Sequence, residues 1–492
     1  MIPVTIGDLV DATGARLYDA AGRVAVDGRT APSTGSLTDV LIDGSVVTDS
    51  RACVRGSLYV ARVGEHADGH IYVGAAAAAG AVAALTSRPV PGLPCLVVDD
   101  TQTAFGRVAR TVLDRACSGL QVVGITGSSG KTSTKDALAQ VLDQLGPTVA
   151  PIESYNGEIG VPLTVCRIDA ATRYLIVEMG SRGLGHIDYL TRITPPQIAV
   201  VLNVGTAHVG QFGSQDAIAA AKSELVAALP ADGVAVLNAD DPRVSAMAEN
   251  TRARVVTVGE RADATLRARD IELDARGRPT CTVDTPVGTA QLTLALHGRH
   301  HVGNALAVLA VALECGMPLP EAVAHLARAG PVSRWRMEVV ERPDGVTVVN
   351  DAYNANPDSM TAALRALTAM GRAGQQIGEP GAGRARRTWA VLGQMLELGP
   401  DAEAEHRRMG ALAASLGIDR VLAVGAEAGP IADGALAAGM PSTRVLRADD
   451  PDTAYQVLHH ATRPGDVVLF KSSRDVGLRW LGDRVAGREE GM

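Results

Sequence analysis

Short apolar runs punctuate this chain, and each closes on a cluster of Gly, Asn, Asp or Ser. Most are followed by a stretch in which apolar residues return at helical spacing, the signature of strands alternating with helices. In the first third, strand-like runs at 57–61, 82–85 and 95–98 alternate with helix-like runs at 70–79 and 103–114. In the middle third, apolar strands at 122–126, 174–178, 198–202 and 234–237 are separated by helical patterns at 133–145 and 216–229. From 253 to 296 the pattern alternates, with Gly277, Pro279 and Gly288 as turn signals, and predicts antiparallel strands added to that sheet. A helix at 305–315 follows. Beyond 333 the order is again strand then helix, with strands at 347–349, 389–392, 420–424 and 467–470. The class is therefore α/β, with strands that run parallel and are buried on both faces.

Length changes that picture from one sheet to several, because 492 residues exceed what one core organises. Three domains are expected: 1–118 as a small α/β unit, 119–332 as a mostly parallel ATPase-like sheet with added antiparallel strands, and 333–492 as a Rossmann-like unit. With 46% hydrophobic but only 3% aromatic residues, the cores must be built from Ala, Val and Leu. A net charge of −8 argues against nucleic acid or an anionic membrane as partner. The six cysteines are scattered without CxxC spacing and read as small core residues of a reduced protein. Neither the N-terminus nor the Ala-rich run at 73–85 resembles a signal peptide or a membrane span, so a cytoplasmic monomer is expected.

Chemistry concentrates where the strand at 122–126 gives way to Gly127, Ser128, Ser129 and Gly130, and then to a helix opening at Lys131. That order aims backbone N–H groups and a helix N-terminus at a polyphosphate. Thr126 ends the strand, Lys131 can reach the phosphates, the Thr132 hydroxyl is placed for Mg²⁺, and Ser133 extends the first turn. Ile125 stands where the strict pattern has its first glycine, so the match is a variant one. Glu178 ends a buried strand at the sheet edge that faces the ligand crevice; it is a Mg²⁺ ligand or an exposed strand-end carboxylate. His208 lies on a Gly-flanked loop at the same edge, as a ligand or as polar surface.

Lys222 shares a helix face with Ile218, Leu225 and Val226, and either snorkels out or has a partner. A desolvated amine could also take up CO₂ as a carbamate and so become an anionic Mg²⁺ ligand. Asn304 either caps the helix after it or reads an adenine edge. Asn356 is the N-cap for a helix starting at Pro357, which leaves Asp351 and Asn354 as the better ligand candidates on that turn. Lys471 and Arg474 put two cations at the end of the last strand, suited to a carboxylate or phosphate. Ser50 and Arg51 follow an apolar strand and could meet a base or diphosphate, or be a surface turn. The Gly-rich, basic segment at 371–387 reads as a flexible surface loop carrying Arg384, Arg386 and Arg387.

Taken together, GITGSSGKTSTK, YNGEIGVP, VEMGSRGLGHI, NVGTAHVGQFGS, AKSEL, NADDP, HVGNALA, SRWRMEV, NDAYNANPDSM and WAVLGQMLELG occur in the order and at roughly the spacing of the Mur ligases, and the chain resembles that family over nearly its whole length. NDAYNANP and LGQMLELG look like those of the member that joins D-alanyl-D-alanine to UDP-N-acetylmuramoyl-tripeptide. The resemblance implies a three-domain, ATP- and Mg²⁺-dependent amide synthetase of peptidoglycan synthesis. Its first domain would hold the UDP end of the donor, its second ATP, and its third the incoming dipeptide. It implies phosphate binding by Lys131, one Mg²⁺ on Thr132 and Glu178, and a second on His208 and carbamylated Lys222. It further implies that Asn304 reads adenine, Asp351 meets the ribose region and Arg336 reaches a phosphate across the interdomain cleft. Ser50 and Arg51 resemble uridine-diphosphate contacts, and Asn156 a substrate contact. Gly157 stands where the family commonly has a second Asn, and Ser472 where it often has Gly. A ligase paralogue with another acceptor or amine, a P-loop switch or motor, and a non-catalytic nucleotide-binding scaffold are the alternatives; the switch or motor leaves Lys222, His208 and the NDAYNANP turn without roles, and the scaffold predicts little loss from Lys131→Ala.

Overall fold

The structure, a computed structural model, describes residues 1–25, 36–64, 67–206, 209–372 and 386–488. It is a three-domain α/β fold. The N-terminal lobe holds a five-stranded sheet in the order Arg16–Tyr18, Cys95–Val97, Ala81–Thr86, Ser57–Val60, Val46–Val47, parallel except for the first pair. Its helix Thr101–Asp114 buries Phe105, Val108 and Val112 and packs on Gly160–Val165 and His186–Ile193 of the next lobe. Gly106 is needed there, because a Cβ would fall 2.9 Å from Ile193 Cδ1. One apolar cluster runs from Ile6 and Leu9 through Phe105 to Val177 and Leu225, so these two lobes share a core.

The central sheet has nine strands in the order Gly288–Thr293, Pro279–Thr285, Leu266–Leu273, Arg254–Gly259, Val234–Asn238, Ile198–Val201, Gln121–Thr126, Tyr174–Glu178, Thr148–Val149. Only the first three are antiparallel to one another. Arg254–Gly259 corrects the sequence expectation: it runs parallel to Val234–Asn238 and, at its end, to Leu266–Leu273. No long crossover is required, because Leu266 pairs beside Val258 and the strand then runs on past its neighbour. Gln121–Thr126 lies between Tyr174–Glu178 and Ile198–Val201, so chain connections leave it to both sides and open a crevice at the carboxyl ends.

The third lobe is a six-stranded sheet in the order Glu338–Glu341, Thr347–Asn350, Val467–Lys471, Thr388–Leu392, Arg420–Val424, Val445–Ala448, parallel after the first pair. Its apolar clusters begin at Met337 and do not merge with those of the central lobe among the described residues. Residues 373–385, including Arg384, lie outside the described residues. Arg386 and Arg387 are anchors rather than loop surface: Arg387 pairs with Asp466 at 2.6 Å and lies 5.4 Å from the Trp389 ring, and Arg386 donates to the Thr347 hydroxyl. Four cysteines are buried as expected, but Cys117 is exposed. Among the described residues no helix is long and apolar enough to cross a membrane.

Candidate functional site

The carboxyl ends of the central and third sheets face each other across a cleft of about 550 Å³. On the central side, Gly130 (φ +82°) ends the phosphate-type loop, and the helix Lys131–Leu142 starts beside it. Only glycine fits here, since a Cβ would lie 2.7 Å from Asn304 Oδ1. Ser128 N donates to Asn203 O (3.1 Å) and Ser129 N to Asn203 Oδ1 (2.9 Å), which fixes the loop from the neighbouring strand end. Lys131 Nζ folds back onto Gly127 O at 2.6 Å. Burial holds its pKa below the usual lysine range, with Glu178 opposing the shift and Arg336 reinforcing it. Ser133 lines the cleft, whereas Thr126 lies beneath the loop with its hydroxyl buried and without a hydrogen-bond partner.

Glu178 is fully buried, which removes the exposed-carboxylate reading. It accepts from Thr132 Oγ1 (3.0 Å), Ser154 Oγ (3.2 Å) and Asn156 Nδ2 (2.8 Å). These are all neutral donors, and a buried carboxylate served this way presents oxygens to a hard cation without a competing positive charge at hydrogen-bond distance. From the third lobe, Arg336 Nη2 reaches in to 3.3 Å from both Thr132 Oγ1 and Ser154 Oγ. Its guanidinium lies 4.1 Å from the centroid of the Tyr353 ring. The residues on either side, Trp335 (φ +59°) and Met337 (φ +51°), both hold left-handed backbone. Strain of this kind persists where surrounding contacts over-determine it. Here Met337 N donates to Asp351 Oδ1 (3.0 Å) and Trp335 Nε1 to Asp483 Oδ2 (2.8 Å).

Lys222 does not snorkel: it is 5% exposed on the helix Gln215–Ala227 and lines the cleft. Burial, with the Lys131 charge adding, pushes its pKa down to about 7, so a large neutral fraction exists near neutral pH. His208 lies outside the described residues. Among the described residues no cluster of three or more His, Cys, Asp or Glu side chains that could hold a metal ion forms.

Asn304 corrects the cap reading. Its helix begins at His301, which places Asn304 inside the first turns, buried against Gly130. Next to it, both ring nitrogens of His301 are buried without a hydrogen-bond partner and line the cleft, an unmet demand that a nucleotide base can satisfy. His300 is pushed down to about 4 by burial, with Asp351 opposing and Lys471 reinforcing, so it stays a neutral ring beside that site. Asp351 binds Lys471 Nζ at 2.7 Å, and Lys471 also donates to Asn354 O at 3.1 Å. Lys471 is therefore not a free cation; it pins the NDAYNANP turn. Arg474 is exposed at the cleft mouth, 5.5 Å from the Tyr353 ring. Asn356 caps the helix Pro357–Arg372 as expected, with its Oδ1 accepting from Ser359 N at 2.9 Å. Ser472 is accommodated because Gly393 lies opposite it, where a Cβ would be 2.8 Å from the serine Cβ. At Gly157 a side chain would meet open space.

Ser50 and Arg51 are not brought to this cleft. They form a short 3₁₀ turn, Ser50–Ala52, capped by Asp49, whose carboxylate is held at about 2 by the Arg51 guanidinium 2.7 Å away. Sequence reasoning missed Ser154, His301, Tyr353 and the buried pair Lys135–Asp136, in which Asp136 accepts from Ser333 N at 2.9 Å and ties the phosphate-loop helix to the start of the third lobe. Each stands within a few positions of a residue the motifs did single out, but nothing in spacing alone marks it.

The chain matches the Mur ligase middle domain over residues 125–312 and the Mur ligase glutamate ligase domain over 335–474. It is 43% identical to the UDP-N-acetylmuramoyl-tripeptide–D-alanyl-D-alanine ligase of Mycobacterium leprae, over 97% of this chain and 99% of that one. Among solved structures it superposes on MurF from Acinetobacter baumannii with a TM-score of 0.83 at 29% identity, covering 99% of each chain. It also superposes on MurF from Thermotoga maritima in complex with ADP, with a TM-score of 0.77 at 26% identity, covering 91% of this chain and 98% of that one. A two-lobed cleft of this build, together with matches that run the length of the chain, places this protein in the Mur ligase family.

Proposed function

We propose that this protein is the ligase that joins D-alanyl-D-alanine to UDP-N-acetylmuramoyl-tripeptide in peptidoglycan precursor synthesis, releasing ADP and phosphate. The observation that carries the reading is Arg336, a third-lobe residue whose Nη2 lies 3.3 Å from Thr132 Oγ1 at the phosphate end of a central-lobe loop. A carboxylate is a poor electrophile, so the donor's terminal carboxylate attacks the γ-phosphorus of ATP and becomes an acyl phosphate. The amine of the dipeptide then attacks the acyl carbon, and orthophosphate leaves.

The chain's residues meet the charge problem this creates. Lys131 and Arg336 bring positive charge to the transferring phosphoryl group from opposite lobes. Asn304 and the two unpartnered nitrogens of His301 receive the base, and Asp351, held by Lys471, lies at the ribose. Thr132 and Glu178 would hold one Mg²⁺, and His208 with a carbamate on Lys222 a second; bound magnesium withdraws charge from the phosphate oxygens and lets two anions approach. The neutral fraction of Lys222 is what CO₂ requires, since carbamate formation joins the amine nitrogen to carbon and releases a proton. The donor's UDP end rests on Ser50 and Arg51 in the N-terminal lobe, and the third lobe closes to bring the reacting atoms within ~3–3.5 Å. A soluble nucleotide-linked donor fits a cytoplasmic enzyme.

The test is ADP release from UDP-N-acetylmuramoyl-tripeptide and ATP, with and without D-alanyl-D-alanine. Turnover that depends on both organic substrates is expected. ADP release that ignores either substrate refutes the reading, and turnover with other amines but not this dipeptide moves it to a paralogue.

A further inference from the structure

The connection from the central lobe to the third is held by the phosphate-loop helix Lys131–Leu142, through three side chains that do not line the cleft: Lys135, Asp136 and Gln140. Asp136 and Gln140 stand about one turn apart on one face of that helix. Gln140 brackets Gly330, its Nε2 donating to Gly330 O at 2.9 Å and its Oε1 accepting from Gly330 N at 3.2 Å. Asp136 Oδ2 accepts from Ser333 N at 2.9 Å. Lys135 pairs with Asp136, and its Nζ also donates to Pro151 O at 3.0 Å and to Ser333 Oγ at 3.5 Å. Lys135 and Asp136 are 2% and 6% exposed. A buried ion pair is seldom more stabilising than apolar residues of the same volume; what this one adds is a fixed position for a backbone N–H.

The next residue belongs to the other lobe. Arg334 Nη2 and Trp335 Nε1 donate to Asp483 Oδ2 at 2.9 and 2.8 Å, and Asn350 Nδ2 donates to Asp483 Oδ1 at 3.1 Å. Asp483, buried on the helix Leu478–Val485, thus ties 334–335 to the third lobe. The chain passes from one lobe's grip to the other's between Ser333 and Arg334. Arg336 follows three residues after Ser333, at most about 11 Å of chain. Its reach to Thr132 and Ser154 therefore starts from a point that the phosphate-loop helix itself holds, and through Pro151 Lys135 also holds the segment that carries Ser154.

Resting on the function proposed above, we infer that Lys135, Asp136 and Gln140 are positioning residues for phosphoryl transfer: they fix the pivot of the third lobe at the Ser333–Arg334 link and so set where the Arg336 guanidinium meets the phosphate. They act through Arg336 and not on the nucleotide. A pivot loosened by about 1 Å misplaces that charge, and misplacement on this scale can cost up to about 10²-fold in rate.

The experiment is a double-mutant cycle on ADP release from ATP, UDP-N-acetylmuramoyl-tripeptide and D-alanyl-D-alanine by the full-length enzyme. Lys135→Met/Asp136→Leu roughly keeps the volume of the pair and leaves no unpaired buried charge, while Ser333 N loses its acceptor. It should lower kcat about tenfold and leave ADP affinity within about threefold of wild type. In an Arg336→Ala background the same change should cost less than about threefold further, because the residue it positions is already gone. Lys135→Met/Asp136→Asn, which gives Ser333 N an acceptor oxygen again, should recover most of the loss. Gln140→Ala leaves the buried pair untouched and tests the inference even where the apolar pair does not fold; it should lower kcat about threefold, and only while Arg336 is present. Losses that multiply in full with Arg336→Ala, or variants that keep wild-type kcat, overturn the inference while leaving the proposed function intact. Wild-type enzyme that releases no ADP on these substrates overturns the function and the inference together.

Discussion

The central lobe meets its two neighbours in opposite ways. Toward the N-terminal lobe the contact is apolar and continuous, with Phe105, Val108, Val161, Val165 and Ile187 in one cluster and Gly106 thinned so that Ile193 can approach. Toward the third lobe the ties are polar: Arg336 to Thr132 and Ser154, Asn356 Nδ2 to Ser128 O at 3.4 Å, and Thr206 N to Asp358 Oδ2 at 2.8 Å. Opening an apolar interface exposes surface at roughly 25 cal/mol per Å², whereas polar groups parted from each other are met by water. On the function proposed above, the first junction would serve as a fixed platform for the donor and the second as a closure made and unmade in each cycle. The chemistry lies at the second junction because its charged partners must assemble around a ligand that has to enter and leave.

Removing the groups that act only in the closed cleft should have the largest effects. Lys222→Ala is expected to lower kcat by at least about 10³-fold with bicarbonate giving no recovery, measured as ADP release; near-wild-type turnover would make Lys222 merely structural. Arg336→Ala should lower kcat by about 10²-fold or more and leave the thermal midpoint close to wild type, because it belongs to the junction that opens.

Backbone closeness across the same junction gives a subtler probe. A Cβ on Gly210 would fall 2.6 Å from Gly399 N, so Gly210→Ala should hinder closure. We expect a fall of about tenfold in kcat with ADP affinity little changed, and less compaction in small-angle scattering when nucleotide and donor are added. The opposite junction should respond in the other currency. Gly106→Val should destabilise the protein by about 1–3 kcal/mol through overpacking, read by denaturant titration, and leave kcat near wild type at low temperature.

The smallest expected effect is a pH slope. Below about 7 Lys222 is charged both folded and unfolded, and the folded state carries the full burial penalty. Between about 7 and the ordinary 10.5 the unfolded chain keeps the proton that the folded one has lost, so this group makes stability rise with pH across that window. In CO₂-free, metal-free buffer Lys222→Met should make that slope shallower; an unchanged slope would mean that the amine is not desolvated.

At both junctions only part of the arrangement is legible in the sequence. Residues whose roles are enforced locally were legible. Gly130 needs positive φ, Glu178 ends a buried strand, Asn356 caps a helix whose first residue is Pro357, and Lys222 keeps helical phase with Ile218 and Leu225. Groups whose surroundings come from distant chain were not. Lys471 reads as a cation open to a carboxylate or phosphate until its strand is set beside the Asp351 turn, the cap reading of Asn304 falls away only because the helix begins at His301, and the left-handed backbone at Trp335 and Met337 leaves no trace in residue type. The shared core of the first two lobes was equally hidden, because periodicity shows which face of the helix Thr101–Asp114 is apolar but not what covers it.

Activation of the donor as a mixed anhydride with phosphate is tested most directly by isotope transfer. With oxygen-18 in the terminal carboxylate of UDP-N-acetylmuramoyl-tripeptide, each turnover with ATP and D-alanyl-D-alanine should deliver one labelled oxygen to the orthophosphate released. Orthophosphate without label, while the amide product forms at the normal rate, would contradict acyl-phosphate activation in the cleft between Lys131 and Arg336.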